Sequence, residues 1–310
     1  MLKRMSLKKI LVCLLVLFSI TLLNFIPKKD IDVKEEVVYV KDNPNTSYVY
    51  LENNNYLTRV NIEVKNKDTI KKARELVEDL IRENKNLPKN FKGIIPSSTK
   101  INSIKYTDNA IKIDFTNDLL DVKKDYEEKV IEAIVYTLTS IEDVDYVIIY
   151  INGELLTYLP KSNKHLPSSL DRNFGINKEY KLTNDKDITS TTIYYISNID
   201  NKDYYIPVTK INNDTRDKVE IIVEELSNQT NNKLMSYLNS NTKLISSNID
   251  QDNISLVFND YILNDSNYQD ILKEVIDTIC LSIKDNYQVK TVSFNINNQE
   301  INKTDLKSLE

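Results

Sequence analysis

Apolar and polar positions alternate along this chain with two periods, and the two periods recur in the same order twice. Tyr48-Val49-Tyr50-Leu51 and Tyr56 to Val64 read as strands, with Glu52-Asn53-Asn54-Asn55 as the turn between them. Ile70, Ala73, Leu76, Val77, Leu80 and Ile81 then fall at helical spacing on one face, and Asp68 stands where its carboxylate caps that helix. Gly93 to Ile104 and Ala110 to Thr116 give a turn and two strands, Lys100–Tyr106 and Ala110–Phe115, joined by Thr107-Asp108-Asn109. A second helix over 124–140 turns Val130, Ile131, Ile134, Leu138 and Ile141 inward. A buried strand follows at Val144–Ile151, and Asn152-Gly153 is a hairpin turn into Glu154–Tyr158.

Residues 160–189 hold Pro160, Pro167, a Ser pair and Gly175 with little periodicity, and 161–189 is read as a linker. After it the pattern restarts. Ile193–Ser197 and Tyr204–Ile211 are opening strands, and Asp214-Thr215 is expected to cap as Asp68-Thr69 does. Val219, Ile222, Val223 and Leu226 match the first helix, Ile271–Lys284 the second, and Val289–Ile296 the last strand. Thr99-Lys100 falls on Thr242-Lys243 and Phe115 on Phe258, both 143 residues apart. Asn297-Asn298 replaces Asn152-Gly153, a change the turn survives because Asn tolerates positive φ. Each unit therefore reads β-β-α-β-β-α-β. The expected fold is α+β, two tandem two-layer α/β sandwich domains at 45–160 and 190–305. Phe115 and Phe258 are expected at equivalent buried positions, and each half is expected to fold alone.

Ahead of the first unit, an apolar run over residues 10–26 follows Lys3, Arg4, Lys8 and Lys9. As a helix it is about 25 Å long, at the short end of what spans a bilayer. The basic residues before it place the N-terminus in the cytoplasm. No small-residue cleavage site follows, so residues 1–27 are expected to be an uncleaved signal anchor and 28–44 a stalk. A lipidated Cys13 is the other way to anchor the chain; Cys13, however, lies near the start of the run rather than after it.

Composition adds mostly exclusions. The chain has 310 residues, a net charge of −5, 41% hydrophobic and 28% charged residues, 3 Gly, 1 His and no Trp. Its richness in Asn, Lys, Ile and Asp is also what an AT-rich genome would give. So few glycines leave no dinucleotide-binding or P-loop motif, and one histidine leaves no multi-histidine metal site. Removing the basic residues before the anchor makes the exported part more acidic still, which argues against nucleic acid. Cys280 is the only cysteine of that part, so no internal disulfide forms; on the apolar face of its helix it is expected to behave as a small hydrophobe.

At the repeated residues the chain resembles a tandem pair of GerMN domains, the module of the GerM family of sporulation and spore germination proteins. The family pattern is an Ile-Pro before a Gly-Thr-Lys-like turn, a strand ending in Asp-Phe-Ser, a helix with Tyr-Thr-Leu, and a closing strand ending in a Gly turn. Here these are Ile95-Pro96, Ser98-Thr99-Lys100, Asp114-Phe115-Thr116, Tyr136-Thr137-Leu138 and Asn152-Gly153. Ser98 stands where the family has Gly and Thr116 where it has Ser. The second unit lacks counterparts of Pro96, Asp114 and both glycines. The resemblance implies an envelope protein of endospore-forming bacteria whose modules are similar to the ring-building modules of the channel complex between mother cell and forespore. It carries over no catalytic residue, cofactor or metal.

The candidate chemistry of the chain is sparse. Asp114 with Asp118 or Asp121 forms a possible carboxylate pair, but a strand end before a helix is where caps and turn formers sit. His165 is a possible base and has no evident nucleophile; a solvent-exposed position in the linker is expected. Tyr48, Tyr50, Tyr204 and Tyr205 could stack on glycan, yet they lie in strands, where packing is expected. The function expected is therefore a non-enzymatic, membrane-anchored scaffold or assembly component of the envelope, exported except for its N-terminus. Its expected partners are envelope or sporulation-complex proteins, including copies of itself, acting through sheet edges. The alternative is an envelope protein that recognises peptidoglycan or a germinant; a cell-wall hydrolase is a distant third.

Overall fold

The computed structural model describes residues 46–82, 87–228, 233–264, 269–297 and 299–309. The expected anchor, Cys13 and the stalk lie outside the described residues. In chain order the first unit comprises β1 (Thr46–Asn53), β2 (Tyr56–Glu63), α1 (Thr69–Asp79), β3 (Ile101–Thr107), β4 (Ala110–Phe115), α2 (Lys124–Leu138), β5 (Tyr146–Ile151) and β6 (Glu154–Leu155). Three short strands follow, β7 (Tyr158–Leu159), β8 (Lys164–His165) and β9 (Glu179–Lys181). The second unit comprises β10 (Thr189–Ile199), β11 (Lys202–Asn212), α3 (Lys218–Ser227), β12 (Leu244–Asp250), β13 (Asn253–Phe258), α4 (Lys273–Asn286), β14 (Thr291–Ile296) and β15 (Gln299–Asp305). The α+β class and the repeated order are those the periodicity implies.

Each unit builds its own four-stranded sheet, ordered β3-β4-β5-β6 in the first and β12-β13-β14-β15 in the second. The two share one pairing pattern. The outer pairs are antiparallel, and the central pair, β4 with β5 or β13 with β14, is parallel. A parallel pair needs a crossover, and α2 and α4 provide it. The repeat extends to irregularities. Both sheets carry a register shift at the start of the first strand, at Ile101/Ser103 and at Leu244/Ser246. Phe115 pairs with Ile151 and Phe258 with Ile296, and both Phe side chains are fully buried, as expected of equivalent positions.

The opening hairpins join neither of these sheets. They join each other, in a five-stranded sheet ordered β1-β2-β11-β10, with β9 lying parallel along the far part of β11. The hydrophobic pattern of one strand cannot name its neighbour, so this joint was invisible in the sequence. Two apolar cores result. The first is built on α1, α2 and the first sheet, the second on α3, α4 and the second sheet. Each borrows from the other: Ile199 and Tyr204 of the second pair of opening strands pack on the first core, and Tyr56 packs on the second.

Within residues 161–189, expected as a linker, the part from 166 to 178 packs on the first core while 180–188 stay exposed. Leu166, Leu170 and Ile176 are buried in the first core, Leu170 pairs with Val147, and Asp171 caps the turn at 172–174. All described residues fall in one compact unit. The two halves thus share a sheet and reach into each other's cores, in place of two modules on a tether.

Four local readings are corrected. Glu52 is the penultimate residue of β1, buried, and not part of the turn; the turn is Asn54-Asn55, with φ of 48° and 72°. Asp68 does cap α1, accepting from the Lys71 N–H at 2.9 Å, but the matching cap of α3 is Asp217, not Asp214. Asp214 instead accepts from the backbone and guanidinium of Arg216. Ile70 is exposed, because it starts the helix before the apolar face turns inward. Finally, only Glu154 and Leu155 pair with β5; the chain then leaves for the β7–β8 hairpin.

The abundance of Asn and Asp also has a conformational reason. Among the described residues every non-glycine with positive φ is Asn or Asp, except Gln251. Two-residue hairpin turns that match strand twist need φ above zero at both positions. Here they read Asn54-Asn55, Asp108-Asn109 and Asp200-Asn201 in place of glycine. Asn297 takes φ 49°, the value of Asn152 at the equivalent turn.

Candidate functional site: a buried seam and a charged cleft

Two places bring polar side chains together. The first is the seam between the units. Tyr50 of β1 and Tyr194 of β10 sit at corresponding points: the Tyr50 N–H donates to Thr137 Oγ1 of α2 at 3.0 Å, and the Tyr194 N–H donates to Ser282 Oγ of α4 at 2.9 Å. Their hydroxyls meet across the joint at 3.2 Å. Arg172, from the connecting segment, closes the group. Its Nη1 donates to Asp285 Oδ1 at 2.7 Å, and the Tyr194 hydroxyl donates to Asp285 Oδ2 at 2.8 Å. The guanidinium lies 4.9 Å from the Tyr136 ring centroid. Burial and then the Asp285 charge hold the Tyr194 hydroxyl far above its ordinary pKa. A buried carboxylate, a guanidinium and hydroxyls that mutually satisfy one another form a joint, with no group left poised for chemistry.

Asn177 completes the joint where the shared sheet is thin. β2 and β11 pair directly only at Arg59 and Tyr205. Beside that pair β11 carries Pro207, which has no N–H to give. Asn177 fills the gap. Its Oδ1 accepts from the Leu57 N–H, and its Nδ2 donates to the carbonyls of Leu57 and Pro207, all at 2.8 Å. Its own N–H donates to Glu132 Oε2 at 2.9 Å. Burial pushes the Glu132 carboxyl up to about 7, against the pull of the Lys178 ammonium 3.7 Å away.

The second place is a cleft of about 650 Å³ on the first unit. Arg82, Lys92, Lys123 and Lys161 line it, with Glu52 and Tyr126. The Glu52 side chain is only 4% exposed; it accepts from the Tyr126 hydroxyl at 2.9 Å and faces Lys92 at 3.3 Å. That hydrogen bond, with burial and the Glu52 charge, raises the Tyr126 pKa. Lys161 donates to the Val122 carbonyl at 2.5 Å and lies 3.7 Å from Asp121.

The residues singled out in the sequence are dispersed. Asp114 accepts from the Gly153 N–H at 3.0 Å and from Asn102 at 3.3 Å, which ties the end of β4 to the turn after β5. Asp118 is half-buried, its pKa lowered by the Thr116 hydroxyl, and Asp121 faces Lys161. His165 is exposed in β8, its ring 5.3 Å from that of Tyr158. Cys280 is buried and free, and burial pushes its thiol up. Tyr48 lies under the Arg59 guanidinium, Tyr204 against Phe91, and Tyr205 donates to Asp277 at 2.6 Å. Among the described residues no group of three His, Cys, Asp or Glu could hold a metal ion. Arg172, Asp285, Asn177 and Glu132 were missed. The one available signal was Arg172, a guanidinium beside Phe174 and Ile176 in a segment otherwise read as polar connection.

Comparison with known proteins agrees with this architecture. A family model described as Sporulation and spore germination matches residues 37–157 and 192–302, one match per unit. The chain is 31% identical over 218 residues to the spore germination protein GerM of Bacillus subtilis strain 168, covering 68% of this chain and 60% of that protein. It therefore spans about three-fifths of the length of that curated relative. The solved structure of the tandem GerMN domains of the sporulation protein GerM from Bacillus subtilis is similar with a TM-score of 0.75 and 26% identity. That match covers 82% of this chain and 91% of the other.

Proposed function

This chain belongs to the sporulation and spore germination family, and from that premise we propose that it is a non-enzymatic scaffold or assembly component of the cell envelope. In this reading residues 10–26 anchor it in the cytoplasmic membrane and hold both units outside. The observation that carries the reading is the seam. Two copies of one module are locked by a shared sheet and a buried Arg172–Asp285 pair, which fixes the spacing and angle of their outer surfaces. A rigid two-module body suits presentation of surfaces to neighbours. One such surface is the outer edge of the second sheet. Among the described residues β12 pairs only with β13 there, and Ile245 and Ile249 are 63% and 50% exposed. An open edge offers unpaired N–H and C=O groups to a neighbour's strand. Crosslinking from this edge in sporulating cells is the test: capture of a discrete envelope protein or a second copy supports the scaffold reading, and a chain that crosslinks to nothing contradicts it.

A second reading, recognition of peptidoglycan or a germinant, is favoured by the charged cleft. Sedimentation with purified cell wall separates the two, since saturable binding supports the second.

A further inference from the structure

The first unit has a charged cleft where the second unit has apolar residues, and the repeat makes the comparison internal. Glu52 and Lys92 exchange both backbone hydrogen bonds of a β-bridge, at 3.0 and 3.1 Å. Ile196 and Met235 exchange the same two bonds in the second unit, both at 2.7 Å. α4 starts about a turn later than α2 against the register that sets Thr137 on Ser282, so Lys123 and Tyr126 have no counterparts within it. Glu52 and Lys92 thus stand on Ile196 and Met235, and the second unit builds the same bridge and core without the two charged side chains. The fold does not require them, so their reason in the first unit lies outside folding.

We propose that this cleft binds an acidic saccharide. The charge is concentrated: four cations face two carboxylates in a chain whose net charge is negative, and a walled cleft focuses such a field. Among the described residues two of the cations, Arg82 and Lys123, have no carboxylate within ion-pairing distance, and Arg82 lies 5.9 Å from the Tyr126 ring centroid, so both charges remain available to an anion. The volume exceeds what a lone inorganic anion fills and lies in the range of small-molecule sites. Glu52 adds a second demand on the ligand. A buried carboxylate beside the cations repels a ligand that is only anionic, so the ligand must also bring hydrogen-bond donors to it. Carboxylates on a ring bearing hydroxyl and amide groups satisfy both demands.

The inference deepens the ligand-recognising reading and does not rest on the scaffold reading. Its test is titration calorimetry of the full chain with three probes. One is the disaccharide of N-acetylglucosamine and N-acetylmuramic acid, which has rings and a carboxylate. The second is the disaccharide of N-acetylglucosamine alone, which has rings and no carboxylate. The third is citrate, which has carboxylates and no ring. The acidic disaccharide is expected to bind saturably, at least about tenfold tighter than either of the others. Replacing Lys92→Met, the second unit's own residue, together with Lys123→Leu should weaken it about tenfold or more with the unfolding midpoint unchanged. Lys123→Leu alone, exposed and without an ion partner, should weaken it about threefold and carries the test should the double variant unfold. Equal binding of the neutral disaccharide or of citrate, or undiminished binding by the Lys123 variant, overturns the proposal. Crosslinking of the Lys123 variant in cells separates the two claims, because partner capture should persist whatever happens to the saccharide.

Discussion

Replacing Asn177 by glycine should cost more than its position in a connecting segment suggests. The side chain supplies three hydrogen bonds at 2.8 Å, to the N–H and C=O of Leu57 and to the C=O of Pro207. Leu57 is fully buried and Asn177 is 7% exposed, so water reaches the vacated site poorly. Each lost bond that leaves a buried backbone group unsatisfied costs about 1–3 kcal/mol. The backbone terms roughly cancel, since φ is 47° and glycine gains there what it loses in chain entropy. The sum is a loss of about 3–5 kcal/mol, with partial hydration keeping it toward the lower end. Urea unfolding measures it as a lower midpoint at constant slope. Amide exchange at Leu57 localises it, and that N–H should lose its protection before the centres of β4 and β13. Asn54→Gly is the control: Asn54 also has positive φ but sits in an exposed turn, so its change should stay within about 0.5 kcal/mol. A loss below about 1 kcal/mol for Asn177→Gly, or unchanged exchange at Leu57, would refute the claim that this side chain completes the shared sheet.

Other outcomes follow from the same geometry. Glu132 is pushed up to about 7 from an ordinary 4.5, so the folded state holds a proton that the unfolded chain has released between those values. Stability should therefore fall as pH rises through that window, by at most about 3 kcal/mol, and Glu132→Gln should flatten the slope of urea midpoint against pH. Phe115→Ala and Phe258→Ala should each cost about 3–5 kcal/mol by chemical unfolding, and by similar amounts because the sites are equivalent. Arg172→Met leaves Asp285 buried without its cation and should cost about 3–5 kcal/mol. Adding Asp285→Leu to it should recover much of that loss in a double-mutant cycle.

What the sequence made legible was whatever depends on one element's own periodicity. The two helices of each unit, the central strands and the hairpin turns all follow from spacing and from residues such as Asp68, Asn152 and Phe115. What escaped it depends on which element meets which. Tyr50 and Tyr194 were recognisable as strand residues, yet nothing local says that their hydroxyls touch across the two units. Asp217 took the cap expected of Asp214 because the helix starts later than strict repeat alignment implies. Glu52 looked like turn chemistry because it adjoins an Asn run, although its bridge to Lys92 draws it into the strand. The charged cleft was hidden for the same reason: Glu52, Lys92, Lys123 and Lys161 lie far apart in the chain and are ordinary surface residues when read singly.

The most direct test of the scaffold reading compares three single substitutions in sporulating cells: Ile249→Lys on the open edge of β12, Asp114→Asn and His165→Ala. Partner capture by crosslinking and the spore phenotype are read together, with purified chains checked for unchanged unfolding midpoints. Ile249→Lys is expected to abolish capture and impair the phenotype, while Asp114→Asn and His165→Ala leave both intact. Loss of function from Asp114→Asn or His165→Ala in a chain that folds normally, with Ile249→Lys behaving as wild type, would contradict a surface-borne role and put a catalytic group in its place.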